Sequence, residues 1–266
     1  MGWINAIFLF SFGAIIGSFL NVIILRYNTG LGFSGRSKCF SCGRALGFFE
    51  LAPVLSFLFL SGRCAGCKSR ISLQYPLVET AAGFLLLALY IAGFSGAELF
   101  YVFASVCLLV VVFAYDMRHK IIPDGIVFLF ILLSFFYPLI DFNALNVKAP
   151  DAWHLFSGPM VALPFFLFWF FSSGRWMGLG DGKLALGIGW FLGAYFGFSA
   201  VVFSVYFGAV FGLCLILANA FKNGNLKKSG MVLKSEVPFA PFLIAGFLVT
   251  LFFGLDFLNL QPIAGF

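Results

Sequence analysis

Charged residues are scarce in this sequence. They make up only 10% of the 266 positions, whereas 62% are hydrophobic and 40 are phenylalanine. Such a chain lacks the polar surface that a water-soluble globule needs, so a membrane protein is predicted. No basic stretch precedes the first apolar run, and that run is longer than a signal-peptide core, so we interpret it as a true span. Ala6 also excludes a myristoylation signal, which needs Ser or Thr there.

Long apolar segments are what the sequence has instead. A membrane-spanning helix needs about 20 mostly apolar residues, and eight segments approach that length. We therefore expect an all-α integral membrane protein with about eight transmembrane helices, at residues 3–25, 76–94, 99–115, 125–140, 158–171, 184–196, 199–220 and 240–257.

Basic residues are confined to alternate loops between these segments. If all eight segments cross the membrane, 15 of the 16 Lys and Arg residues fall on one side and only Lys148 falls on the other. Since short cytoplasmic loops retain Lys and Arg, the basic side is predicted to be the cytoplasm. Topology then explains the net charge of +6, so the expected partner is a lipid bilayer and no nucleic acid.

One polar stretch, residues 26–75, is long enough to fold outside the bilayer. We therefore divide the chain into a first transmembrane helix at 1–25, a small cytoplasmic domain at 26–75 and a seven-helix membrane domain at 76–266. Inside the polar stretch, the apolar run at 51–60 is too short to span. It is interpreted as a small core or an interfacial segment.

Two C-x-x-C pairs lie in this cytoplasmic domain, with 21 residues between them. This spacing is typical of a structural zinc site, in which four thiolates close a tetrahedron. Gly43 and Gly66 are expected in the turns of the pairs. Redox chemistry, unligated thiols and two disulfides are the alternatives, although a reducing cytoplasm disfavours disulfides. The predicted zinc ligands are Cys39, Cys42, Cys64 and Cys67.

Acidic residues near membrane spans require an explanation, because a carboxylate at membrane depth is costly. Four of the ten acidic residues lie at predicted cytoplasmic span ends, where they could meet: Glu79, Asp116, Asp124 and Asp181.

Asp116 ends the third predicted span and Asp181 opens the sixth. Two neighbouring carboxyls that share a proton can act on water and on a peptide bond as base and acid, so this pair is a candidate for an aspartic peptidase. Gly178 and Gly180 are expected to let an extended peptide approach Asp181 closely. Each aspartate alone could instead be a helix-boundary residue.

Motifs along nearly the whole chain resemble the type IV prepilin peptidases, which are membrane aspartic peptidases with a GxGD motif. The resemblance implies that Asp116 and Asp181 are the catalytic aspartates and that the four cysteines of the pairs match those of the family. The matching blocks, in chain order, are residues 17–22 (GSFLNV), the two C-x-x-C pairs, 50–56, 70–79, 116–124, 178–181 (GLGD) and 238–242.

The resemblance also implies two activities. The first is cleavage of a short basic leader from type IV prepilins or type II secretion pseudopilins, at the cytoplasmic face of the bacterial inner membrane. The second is N-methylation of the new N-terminal residue with S-adenosylmethionine. Residues 26–75 carry no recognisable glycine motif for a nucleotide, so methylation rests on the resemblance alone. Glu79 is a candidate for methyl transfer or for a structural role at its helix start.

Two other functions remain open from the residues themselves. A membrane thiol oxidoreductase would use the C-x-x-C pairs, but their predicted location on the reducing side weighs against it. A non-catalytic transporter or scaffold with a zinc knob would use Asp116 and Asp181 to bind a cation or carry protons. Loss of leader cleavage in variants of these two aspartates would separate a peptidase from the transporter.

Overall fold

The computed structural model describes residues 2–30, 32, 35–144, 146–175, 177–223 and 238–257. Three of the basic residues behind the predicted orientation, Lys227, Lys228 and Lys234, lie outside the described residues, as does the end of the predicted membrane domain at 258–266.

Helices dominate the described part of the chain. Five of them, α1, α3, α4, α6 and α7, are long and apolar enough to cross a membrane, and α5 and α8 are shorter apolar helices. The all-α membrane fold is thus confirmed. The α-helices are α1 (Trp3–Arg26), α2 (Leu55–Phe59), α3 (Gln74–Ile91), α4 (Gly96–His119), α5 (Asp124–Phe136), α6 (Ala152–Ser172), α7 (Leu179–Asn223) and α8 (Ala240–Phe253).

Short irregular elements connect these helices. Single 3-10 turns form at Phe48–Leu51 and Tyr137–Leu139. Two-residue strands, β1 (Ile140–Asp141) and β2 (Asn146–Val147), pair antiparallel in the loop before α6.

Helix α7 contains the sixth and seventh predicted spans and reverses direction between them. Gly193 has φ 78° and ψ 174°, which no helix allows. A Cβ at Gly197 would lie only 3.1 Å from Cα of Gly189, whereas eight residues of straight helix cover about 12 Å. The predicted boundary near 196–199 is therefore displaced to Gly193, because only a residue without Cβ adopts that backbone freely.

The chain forms two compact units, Met1–Ala114 and Tyr115–Phe266. Helix α4 carries the boundary between them. The predicted domains at 1–25, 26–75 and 76–266 follow the membrane topology instead of compactness, and they remain a proposal.

Helices α1 and α3 pack along glycines in the first unit. A Cβ at Gly13 would lie 2.7 Å from the Ala82 carbonyl oxygen, and one at Gly17 would lie 2.7 Å from Cα of Glu79. The two helices are antiparallel, since residues later in α1 meet residues earlier in α3. Small residues allow this close approach, which drives helix association in lipid through van der Waals contact.

Replacing Gly17 with Ala is expected to destabilise the protein by about 1–3 kcal/mol, because the added methyl group overlaps the α3 backbone. Thermal denaturation in detergent measures the effect. Gly212→Ala is the matched control, since it also changes a glycine in an apolar helix but meets nothing within 4 Å. Equal melting of both variants and the wild type would contradict the packing described for α1 and α3.

The second unit packs α5, α6 and α8 against the two arms of α7. A Cβ at Gly187 of α7 would lie only 2.6 Å from the ring of Phe130, so the glycine makes room for this ring. Phe130 in turn meets Phe247 of α8 edge to face, with centroids 6.1 Å apart. Gly189 lies against the carbonyl of Ser157 in α6. These contacts fix the start of α7, where Asp181 lies.

Candidate active site

Asp116 and Asp181 are brought together inside the second unit. Asp116 lies near the end of α4 and Asp181 lies in the first turn of α7. Both residues are buried, with only 4% and 8% of their surface exposed. The charge of Asp116 acts directly on the Asp181 carboxyl. Two of the four acidic residues predicted at span ends therefore form a buried pair.

The backbone around Asp181 explains how its side chain is oriented. Helix α7 begins directly after Gly178. The N–H of Asp181 donates to the Gly178 carbonyl at 3.3 Å, and the backbone N–H of Gly178 acts on the Asp181 carboxyl. This contact resembles half of a capping box, with an acidic side chain in the third helical position. The helix-boundary interpretation thus describes the local geometry of Asp181.

The same interpretation does not account for Asp116. Its Oδ2 atom is buried and has no hydrogen-bond partner among the described residues. The backbone N–H of Ala240, the first residue of α8, acts on the same carboxyl. An unpaired buried acceptor costs about 1–3 kcal/mol. A structural residue gains nothing from this cost, whereas a carboxyl that must contact water or substrate requires a free oxygen.

Asp124 is engaged elsewhere and does not join the pair. Its Oδ1 accepts a hydrogen bond from Lys183 Nζ at 2.7 Å, and 62% of its side-chain surface is exposed. The ammonium also lies 5.4 Å from the ring centroid of Phe128. This ion pair links the first residue of α5 to the start of α7, so it supports the helix start that carries Asp181.

The two glycines before Asp181 have different surroundings. A Cβ at Gly180 would lie 2.9 Å from Cβ of Ile122, while one at Gly178 would meet nothing closer than Asp181 Oδ2 at 3.7 Å. Gly180 therefore allows the helix start to pack on Ile122. Only Gly178 has the open space expected of a position that a substrate backbone approaches, and the role of both glycines toward substrate remains a proposal.

Gly180→Ala is expected to lower stability by about 1–3 kcal/mol and to displace Asp181, because the methyl group overlaps a β-branched side chain. Gly178→Ala should melt within about 1 kcal/mol of the wild type, since its methyl group meets only an ordinary contact. Melting temperatures in detergent measure both variants. A Gly180→Ala protein as stable as Gly178→Ala would contradict the contact with Ile122.

The four predicted metal ligands converge in the first unit. The thiol sulfurs of Cys39, Cys42, Cys64 and Cys67 all lie within 4.8 Å of one another. The Sγ atoms of Cys39 and Cys67 are 3.8 Å apart. Tetrahedral zinc with bonds of about 2.3 Å requires sulfurs about 3.8 Å apart. All four cysteines are free of disulfides, so this cluster could hold a metal ion.

Both C-x-x-C pairs have the same backbone geometry. In the first pair, the Cys39 N–H donates to the Arg44 carbonyl at 2.9 Å; in the second, the Cys64 N–H donates to the Ser69 carbonyl at 2.9 Å. The fifth position of each turn is left-handed, with φ 71° at Gly43 and 59° at Lys68. Lys68, and not Gly66, therefore occupies the position equivalent to Gly43.

Neighbouring groups act differently on the thiols of the cluster: the pKa values of Cys39 and Cys67 are lowered, and that of Cys42 is raised to about 11. The backbone N–H groups of Cys42 and Ser41 and the hydroxyl of Ser69 lower the pKa of Cys39 to about 6. A thiolate is the form of cysteine that binds a metal. Outside the cluster, Arg44 pairs with Glu50, whose Oε2 accepts the Gly47 N–H at 2.8 Å.

Sequence comparisons identify the family to which this site belongs. The Bacterial Peptidase A24 N-terminal domain matches residues 11–92, and the Type IV leader peptidase family matches residues 102–213. A prepilin leader peptidase/N-methyltransferase of Bacillus subtilis (strain 168) is 34% identical over 92% of this chain and 93% of its own length. The chain belongs to the type IV leader peptidase family.

Other members of this leader peptidase family are similar over comparable lengths. Proteins with the same description are 31% identical in Burkholderia pseudomallei (strain 1026b), over 92% of this chain and 84% of theirs, and 30% identical in Aeromonas salmonicida (strain A449), over 94% and 91%. No solved structure matches the chain. The membership confirms the resemblance and the predicted enzyme class, a membrane leader peptidase, and it decides against a transporter, scaffold or thiol oxidoreductase.

Glu79 has a structural role that its sequence position did not reveal. Its Oε2 accepts the Val54 N–H at 2.7 Å, and its carboxyl also interacts with the Ser18 hydroxyl. Nearby, the Asn21 side chain of α1 donates to the Tyr75 carbonyl at 3.1 Å. The polar residues of the 17–22 and 70–79 blocks thus join α1 and α3 to the loop between them. A role of Glu79 in methyl transfer stays a prediction.

Proposed function

We propose that this chain cleaves the leader peptide from type IV prepilins or pseudopilins and then N-methylates the new N-terminal residue. The buried pair Asp116 and Asp181, contributed by two helices, is the observation that carries the peptidase activity. Family membership and the description of the relatives as prepilin leader peptidase/N-methyltransferase support both activities.

Asp116 and Asp181 act in this proposal as the catalytic pair. Two buried carboxyls that interact electrostatically repel each other when both are charged, so in this proposal they share one proton. The charged member takes a proton from water, which attacks the scissile carbonyl carbon, and the protonated member donates to the departing amine. The unpaired Oδ2 of Asp116 is suited to hold the water, and the open space at Gly178 is suited to the substrate backbone.

The four-cysteine cluster binds zinc in a structural role. Cys39, Cys42, Cys64 and Cys67 fill all four positions of a tetrahedral ion, so no site is left for a substrate. The ion would link the two C-x-x-C turns, which come from separate parts of residues 26–75. S-adenosylmethionine is the proposed methyl donor, supported by the N-methyltransferase description of the relatives.

The active site faces the cytoplasm in this proposal, and the chain is a multi-pass protein of the bacterial inner membrane. The distribution of Lys and Arg supports this orientation, since only Lys148 lies opposite the other basic residues. Lys148 follows β2 and lies 3.6 Å from Asp141, in the loop between α5 and α6.

Incubation of the purified wild type with a prepilin tests both activities by the mass of the substrate. The expected product lacks the leader, and adding S-adenosylmethionine increases its mass by a further ~14 Da. Cleavage without the increase would remove methylation from the proposal. An uncut substrate, with several prepilins tried, would contradict the proposal as a whole.

A further inference from the structure

An exposed apolar strip lies between the two C-x-x-C pairs. Phe49, Leu55 and Phe59 line one shallow depression of 370 Å³, and the ring of Phe48 packs edge to face on Phe49 at 5.9 Å. The three phenylalanines are each at least 85% exposed. Such a patch would be unfavourable in water. We define the apolar strip as Phe48, Phe49, Leu55, Leu58 and Phe59.

The hydrogen bond from the Val54 N–H to Glu79 of α3 fixes how deep this strip lies relative to the bilayer. Helix α3 has 18 residues and a length of about 27 Å, slightly less than the hydrocarbon core of about 30 Å. Its first residue, Gln74, must therefore lie at the boundary of the hydrocarbon. Glu79 is five residues further along and its side chain points back toward the helix start. Val54 then lies within roughly 5 Å of that boundary.

The backbone conformation of Val54 indicates that contacts with α3 hold this residue in place. Val54 has φ 60°, which is rare and strained for a β-branched residue. Such a conformation persists where neighbouring contacts impose it, and here a buried carboxyl accepts the Val54 N–H at 2.7 Å. Helix α2, which carries Leu55, Leu58 and Phe59, starts at the next residue. The tie to α3 therefore holds the strip beside a membrane span.

Charge complementarity identifies the occupant of the strip. Residues 26–75 contain seven Lys and Arg residues and one acidic residue, Glu50, which is paired with Arg44. A net basic segment with an exposed apolar patch is typical of segments that bind anionic lipid headgroups and bury their apolar side chains about 5–10 Å deep. A bilayer meets both requirements at the depth set by Glu79.

We propose that the apolar strip is embedded in the bilayer interface, so that residues 48–59 anchor the four-cysteine cluster to anionic lipid. Glu79 acts as the positioning residue that holds Val54 and α2 at this depth. This proposal does not depend on the peptidase or methyltransferase activity.

Fluorine relaxation measurements on the full chain in bicelles of zwitterionic and anionic phospholipid test the proposal. Trifluoromethyl-phenylalanine replaces Phe59, and its relaxation is measured with dissolved oxygen, which enters hydrocarbon, and with a water-soluble nickel chelate. The same label at Phe84, 62% exposed on α3, is the reference for lipid, and the free amino acid in buffer is the reference for water.

The expected ratio of oxygen to nickel relaxation at Phe59 is at least about threefold above that of the free amino acid, because the ring lies below the headgroups. Glu79→Gln should preserve the ratio, since its amide carbonyl still accepts the Val54 N–H. Glu79→Ala should lower the ratio toward the water reference while the ratio at Phe84 stays unchanged.

Two results would overturn the proposal. The first is stronger relaxation of the Phe59 label by the nickel chelate than by oxygen, which places the strip in water. The second is a label that becomes protected from both agents only when a prepilin is added, which assigns the strip to a protein partner.

Discussion

Leader cleavage is expected to fall by about 10²- to 10⁴-fold when either Asp116 or Asp181 is replaced by Asn, because each replacement removes one of the two groups proposed to move protons in the reaction. The amide is nearly the same size as the carboxyl, so the packing around both positions is preserved. Cleavage rates with a purified prepilin, read from the mass of the product, measure the loss.

Asp124→Asn is the matched control for this prediction. Asp124 lies at the start of α5 and is paired with Lys183 at 2.7 Å. A partly exposed ion pair contributes about 0.2–1 kcal/mol, so cleavage should stay within about fivefold of the wild type. A loss at Asp124 equal to that at Asp116, or normal cleavage by both pair variants, would remove the catalytic assignment.

Removing one of the proposed zinc ligands is expected to unfold residues 26–75. Binding of a structural zinc ion contributes about 10–16 kcal/mol to the folding of small zinc domains, and Cys64 is the only buried residue among the described positions of 26–75. Cys64→Ser should therefore lower the zinc content from about one ion per chain to nearly none. Limited proteolysis between the two C-x-x-C pairs should become much faster.

Cys214→Ser is the matched control, because Cys214 is an exposed cysteine of α7 outside the cluster. Zinc content measured by metal analysis, and the rate of proteolysis, should both equal those of the wild type. A wild-type protein without zinc, whose four thiols are protected from alkylation until a reductant is added, would favour two disulfides over the metal site.

The fold class and the family could be predicted from local sequence features. Apolar segments of near-span length predict membrane helices, because a single segment in the bilayer can satisfy its backbone hydrogen bonds only as a helix. The boundary inside α7 was misplaced, since the run from 184 to 220 is uniformly apolar and gives no signal of its own. The structure places the reversal at Gly193, where φ 78° requires a residue without Cβ.

The candidate site was only partly predictable for a similar reason. Spacing alone indicated four clustered cysteines, because both pairs are short motifs with nearly fixed geometry. Among the four acidic residues, the motifs singled out Asp116 and Asp181 as the candidate pair, but they did not indicate what Asp124 and Glu79 contact. Tertiary contacts separate them: Asp116 and Asp181 interact, Asp124 is paired with Lys183, and Glu79 accepts a hydrogen bond from Val54.

The sequence by itself determined the membrane class, the predicted orientation and the types of residue available for chemistry, because these depend on composition and on short-range spacing. Only the tertiary structure decided that Asp124 pairs with Lys183 and lies outside the Asp116 and Asp181 pair, and what Glu79 holds in place. Those contacts join residues more than 20 positions apart, and their distances depend on how helices pack, which no local pattern encodes. Gly180 illustrates the difference, because its need for a small side chain arises from Ile122 on another segment.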